Sequence, residues 1–323
     1  MRKKLIGIAV SWCIAFAGMA GAKQAPAAAI PITPAHAWQD ATHHMLLGAA
    51  RAGTRLVAVG SHGIVVLSDD DGKTYRQARS VPVSAALSDV YFADATHGWA
   101  VGQWGVVIAT ADGGETWKLQ RADTSTDQPL FSVYFADAHH GWAVGLWSLM
   151  LETDDAGAHW RTVKLPPPPG ASKADRNLFR IFANAHGTLF VAAEQGLVLR
   201  SRDGGSTWEY TQTGGKGSLW AGAVASDGAV FVGGLLGHLY ASQDDGGTWI
   251  KVDSGTTSSI TALVAAGSDV LGVGLDGTEI AGSASAQQFA SKHRPDREAL
   301  TAVALSRTQA PVLFSKGGVV GSP

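Results

Sequence analysis

The sequence predicts an all-β, seven-bladed propeller with four-stranded antiparallel blades. Three observations carry this: a motif recurring at a period in the forties, a strand-turn-strand echo around each copy, and a composition of 40 glycines and 11 tryptophans with only 16% charged residues. A fixed period of that size marks a propeller or solenoid array, and so much glycine beside so many large apolar anchors marks a β-rich chain of tight turns.

The motif has the frame Ser/Thr-x-Asp-x-Gly-x-Thr-Trp and is an Asp box. It starts at Ser68, Thr110, Thr153, Ser201 and Ser242, spacings of 42, 43, 48 and 41 residues. Around it the rest of the unit repeats, most plainly as VYFADATHGWAVG at 90–102 and VYFADAHHGWAVG at 133–145. Each unit reads as strand A (87–92), a turn (93–98), strand B (99–102), a tight turn at Gln103 and Trp104, strand C (105–110), the box turn, and strand D from Trp117. Two further units keep only the B-turn-C core, around Leu275-Asp276-Gly277 and Lys316-Gly317-Gly318. That makes seven. The last unit lacks an outer strand, which the stretch near Ala37-Trp38-Gln39 is expected to supply, closing the ring and removing two free sheet edges.

Residues 1–22 read as a secretory signal peptide. Arg2, Lys3 and Lys4 precede an apolar run over 5–20, and Ala20-Gly21-Ala22 is a small-residue cleavage site. A single propeller domain over 23–323 remains, exported to the periplasm, or to the thylakoid lumen in a photosynthetic host, with no integral span in the mature chain. Cys13 lies within the leader, so the mature chain has no disulfide or cysteine-ligated metal. Removing the three leader cations takes the formal charge from −2 to −5, which disfavours nucleic-acid binding. No cofactor or metal motif is present, and the chain is expected to be a monomer.

The box aspartates, Asp70, Asp112, Asp155, Asp203 and Asp244, are expected to accept N–H bonds from their own turns. Glycine fills the positions where a calcium loop places further oxygens. His97, His139 and His140 read as turn residues, and Tyr91 and Tyr134 as packing.

In a propeller the loops leading into strand A and the B–C turns open on one face, here called upper, while the boxes and A–B turns lie below. Aligning the strand A starts places Ser88, Phe131, Phe179, Trp220, Thr261 and Thr301 near the channel mouth, with Trp104 and Trp147 in adjoining B–C turns. Lys173, Arg176, Arg180, Lys216, Lys292, Arg294, Arg297 and Lys316 fall on the same face. Aromatics clustered with arginine suit a protein-binding hot spot, so Trp104, Trp147, Arg176, Arg180, Phe131, Phe179, Trp220, Arg294 and Arg297 are the candidate client-binding residues. Inter-blade packing is the competing role for each aromatic.

The repeat also occurs in sialidase-like propellers and sorting-receptor ectodomains. It most resembles the photosystem II stability/assembly-factor family, in residues 130–145, LFSVYFADAHHGWAVG, in the following LMLETDD, in GGETW at 113–117, and in the proline run after Leu165 leading to NLFR at 177–180. The resemblance implies a non-catalytic factor that binds a membrane-complex subunit. The fifth to seventh units are Ala/Gly-rich and depart from the photosynthetic pattern, which leaves a periplasmic accessory of a membrane exporter as an alternative. A sialidase-like glycosidase is the enzymatic alternative and would need an arginine cluster, an acid/base Asp and a Tyr-Glu pair. Arg51, Arg55 and Arg180 converging on Glu194 would be its nearest approach; the last tyrosine is Tyr240, so the final two units have none.

Overall fold

A computed structural model describes residues 31–285 and 288–321. The signal-peptide reading of 1–22 lies outside them. No described helix is long and apolar enough to cross a membrane.

Seven antiparallel sheets follow one another along the chain, over 46–77, 87–121, 130–162, 178–212, 219–252, 260–293 and 300–319. Strand A is innermost in each. Among the described residues six sheets have four strands and the seventh has three. Blade two is close to its sequence reading: strand A is Leu87–Phe92, strand B Gly98–Gly102, strand C Val107–Thr110 and strand D Lys118–Arg121. Strand B is buried on both faces in blades two to five, because each blade is sandwiched between two neighbours. The outer strands alternate or are exposed, as Lys118–Arg121 is. Packing between blades is apolar and aromatic: Trp99 of blade two stacks on Phe135 of blade three, and Tyr91 meets Tyr134 edge-on at 5.1 Å.

One device recurs at the centre. In every blade the register slips after the first residue of strand A, so that Leu87 pairs with Gly102 but Asp89 with Val101, leaving Ser88 unpaired. The same slip isolates Leu47, Phe131, Phe179, Trp220, Thr261 and Thr301. A bulge re-aims its extra side chain, and these seven residues all line the central channel.

A second device locks blade to loop. Strand B of blade two ends in extended backbone at Gly102, where a Cβ would lie 2.0 Å from the Ala86 carbonyl oxygen of the loop leading into strand A. The Gly102 position thus needs glycine for close approach. Blade four has Ala193 instead and keeps the equivalent hydrogen bond, Glu194 N–H to Asn177 O at 3.1 Å, the same length as Leu146 N–H to Pro129 O beside Gly145 in blade three.

The expected N-terminal closing strand is not formed. Residues 31–38 make no ladder; they run against blade one through an Ala35 N–H bond to Val81 O and a Trp38 N–H bond to the Gln77 side chain at 2.8 Å. A 3₁₀ turn, Ala41–His43, then packs against the third strand of blade seven, where a Gly318 Cβ would meet Thr42 O at 1.9 Å. Pro31 and Pro34 lack the N–H that a ladder needs. The ring closes instead by packing and side-chain staples. Leu46, Leu56, Ala302, Ala304 and Phe314 share one core across the seam, with Trp38 half-buried against it. Thr301 donates to Leu46 O, while Arg51 reaches both Asp71 and Leu305 O at 2.9 Å.

Candidate functional site

The upper face is built from B–C turns. Each is a tight turn whose first central residue sits in left-handed backbone: His62, Trp104, Trp147, Gln195, Leu236 and Asp276 in blades one to six, with φ between 53° and 59°. Such a conformation is unfavourable for a bulky side chain, so two tryptophans and a leucine here are held by their surroundings. The position projects the side chain outward. Trp147 is 59% exposed and Leu236 60% exposed; Leu235, Leu275 and Met45 also lie exposed on this face. Trp104 is half-buried against the core between blades one and two.

Trp147 is held firmly. Its N–H donates to Asn177 Oδ1 at 3.0 Å, and the following Ser148, also left-handed, exchanges bonds with Arg176: Ser148 N–H to Arg176 O at 2.7 Å and Arg176 N–H to Ser148 Oγ at 2.9 Å. Asn177 in turn donates to Glu194 through its side chain at 2.7 Å and its N–H at 3.1 Å. The segment after the proline run therefore ties the B–C turns of blades three and four together. An exposed indole on an immobilised backbone loses little freedom on binding.

Inside this rim the channel mouth is an aromatic half-ring. Phe131 and Phe179 stack at 5.6 Å and 19°, and Trp220 continues the arc, all half-buried. Beneath them lies a polar clasp. Asp89, 4% exposed, accepts from Arg180 at 2.8 Å, Ser132 Oγ at 2.7 Å and Val133 N–H at 3.2 Å. It links the innermost strands of blades two, three and four. At the same depth the other blades carry Gly48, Ala221, Ala262 and Ala302, and the cavity left is about 100 Å³.

Most arginines of the face are paired. Arg176 binds Asp175, Arg180 binds Asp89, Arg294 binds Asp296 at 3.1 Å and Arg297 binds Asp276 at 2.7 Å; Lys292 lies 3.1 Å from Glu279. Among the described residues Lys173, Lys216 and Lys316 have no carboxylate partner, so the positive charge offered outward is lysine. Lys216 and Arg176 share a shallow cavity of about 470 Å³ with Pro168 and Gln195.

The residues of the enzymatic alternative stand apart. Arg51 is at the seam on Asp71, Arg55 holds Asp69 and Glu115 on the lower face, and Arg180 is in the channel. Glu194 is spent on Asn177. The boxes below behave as local staples in all five copies. In blade four Ser201 Oγ donates to Asp203 and accepts from Gly205 N–H, while Thr207 donates to Asp203 through both N–H and hydroxyl. These bonds lower Asp203 to about 2, and Asp70, Asp155 and Asp244 are likewise held near about 2. His97 and His140 each bond the Asp three residues earlier at 2.8 Å, as turn residues do.

Trp147, Trp104 and the channel aromatics lie on the face expected from the sequence, and Leu235 and Leu236, which were not among the expected residues, join them there. The signal was present: Leu236 aligns with Trp147 in the repeat frame, just before the turn glycine Gly237.

Residues 77–219 match the family model "Photosynthesis system II assembly factor YCF48". No curated protein sequence matches. Among solved structures, "YCF48 bound to D1 peptide" is 15% identical, covering 90% of this chain and all of that one, with a TM-score of 0.69. "YCF48 from Cyanidioschyzon merolae" is 14% identical over 89% of this chain and 97% of that one, with a TM-score of 0.68. A streptogramin B lyase, 11% identical over 88% and 94%, reaches 0.71, so at this level the likeness speaks for fold alone. The stretch 77–219 thus matches the photosystem II assembly factor model, and the ring as a whole shares its propeller fold with these solved structures.

Proposed function

We propose that the chain is a non-catalytic, exported scaffold whose upper face binds an extended polypeptide from a subunit of a membrane complex. One observation carries this reading: Trp147, 59% exposed, is fixed in left-handed backbone by Asn177 and by Ser148 and Arg176. Large, rigid aromatic contact surface is what a binding hot spot uses. Leu235, Leu236 and Leu275 extend the apolar rim, and Lys173 and Lys216 add positive charge suited to acidic side chains. The similar protein solved as "YCF48 bound to D1 peptide" holds a peptide, which supports a polypeptide ligand for this fold.

In this reading the chain acts as a monomer in the periplasm, or in the lumen of a photosynthetic host, after removal of 1–22. The channel aromatics Phe131, Phe179 and Trp220 form the floor beneath the client, and Arg176, Arg180, Arg294 and Arg297 shape the face through their carboxylate pairs. An exporter subunit is a client of the same chemistry.

The test is recovery of partners by the tagged, exported chain, compared with Trp147→Ala/Leu236→Ala above and His159→Ala below. Loss of a partner from the upper-face variant alone supports the reading. Equal recovery by all three, or loss confined to His159→Ala, moves the site off this face.

A further inference from the structure

Blade seven has three strands among the described residues, where its six sisters have four. Beside its third strand, Gly318–Val319, lies a cavity of about 980 Å³. Its blade-seven wall is Val312 and Val319; the opposite wall is the box turn of blade one, with Lys73 and Tyr75, and Arg294 and Arg307 border it. The cavity occupies the place of strand D in the sister blades.

Among the described residues no strand pairs with the edge facing it. Ser315 pairs with Gly318 and Phe314 with Val319, and Val320 donates its N–H to Leu313 O. Antiparallel bonds alternate sides, so the N–H and C=O of Val319 point away from the sheet and into the cavity. Two buried polar atoms on the cavity residues, Tyr75 Oη and Arg294 Nε, have no hydrogen-bond partner among the described residues. Such atoms are costly to leave unpaired.

We propose that this edge is a second polypeptide-binding site, which takes an extended strand of a partner protein, apolar on one face and acidic on the other, as the fourth strand of blade seven. The six sister blades specify the form of the occupant: an antiparallel strand of two to four residues. Adding a strand to an open edge is a common mode of peptide capture. The walls specify its chemistry. Val312, Val319 and Tyr75 offer apolar contact, and Lys73 offers a cation with no carboxylate partner among the described residues, Arg294 and Arg307 being paired with Asp296 and Asp71. The chain's own described N-terminal stretch does not fill the site. Residues 31–38 run along blade one toward Val81, and Ala41–His43 covers only one end of the cavity.

The probe is a labelled peptide of residues 205–213, GSTWEYTQT, which contains the strand D of blade four, Glu209–Gln212. Anisotropy is titrated against the purified chain, and hydrogen exchange is followed at the Val319, Val320 and Gly321 amides. Saturable binding is expected, with the Val319 amide slowed about tenfold. Lys73→Glu, at an exposed position, weakens binding roughly fivefold, and Val319→Pro abolishes it by removing the outward donor. Trp147→Ala binds the probe unchanged, which separates this site from the upper face. Three results overturn the proposal: no binding with the fold intact; Val319 protection in the free chain that is lost when the chain starts at Pro31; or protection that rises with protein concentration alone. The last two assign the edge to the chain's own leader segment or to a second copy.

Discussion

Replacing Arg180 by methionine tests how the channel is held open. The side chain spans three blades to reach Asp89, whose carboxylate is 6% exposed and has two other donors, Ser132 Oγ and Val133 N–H. A hydrogen bond to a charged group is worth about 1.5–3 kcal/mol. The Arg180 side chain is 36% exposed, so solvent screening favours the lower part of that range. Arg180→Met should therefore cost about 2 kcal/mol, a fall in melting temperature of roughly 3 °C for a chain of this size. Asp89→Ala should cost a similar amount, since it strands Ser132 and the guanidinium. The double variant should lose less than the sum, because neither partner is then left unpaired in the channel; a coupling of about 2 kcal/mol is expected. Urea unfolding monitored by tryptophan fluorescence reads all three. Additive losses, with coupling below about 0.5 kcal/mol, would refute the clasp and return Arg180 to the set of residues free to meet a client.

Further outcomes follow from the repeat devices. Gly102→Ala forces a Cβ to within 2.0 Å of Ala86 O, and a destabilisation of roughly 2–3 kcal/mol in urea is expected, whereas Ala193→Gly, at the equivalent place in blade four, costs under about 1 kcal/mol. Asp70, Asp155, Asp203 and Asp244 have folded-state pKa values depressed from 3.8 to about 2, so their stabilisation is complete above the ordinary carboxylate range and is lost as pH falls through about 2. The urea midpoint should accordingly drop between pH 4 and pH 2, and replacing these four by Asn should flatten that drop while lowering the midpoint at neutral pH. Asp112→Ala strands Thr116 N–H and two hydroxyls and should cost about 1 kcal/mol in the same assay.

The fold was legible because the repeat states its own strand boundaries. The Gly-Trp-Ala-Val-Gly of strand B and the box after strand C each need a particular local geometry, and the degraded sixth and seventh units still kept a B–C turn. The ring closure was not legible. Whether Trp38 joins a ladder or packs as a side chain depends on its contacts with Gln77 and the seam core, which lie far away in sequence. Arg180 and Asp89 are 91 residues apart, so only the folded ring brings them together, whereas Arg176 and Arg294 pair with near neighbours in sequence. The strand A bulges were hidden for a different reason. They are a backbone register slip that residues as unlike as Leu47, Ser88 and Trp220 share, with no common side chain to mark it.

The face-specific binding of a polypeptide is tested most directly by photocrosslinking from single positions in the producing cell. With p-benzoylphenylalanine in place of Trp147 or Leu236, the account predicts a crosslinked partner that is absent when the label is at Arg202 or His159 on the lower face. Crosslinks from Arg202 and His159, with none from Trp147 or Leu236, would contradict it.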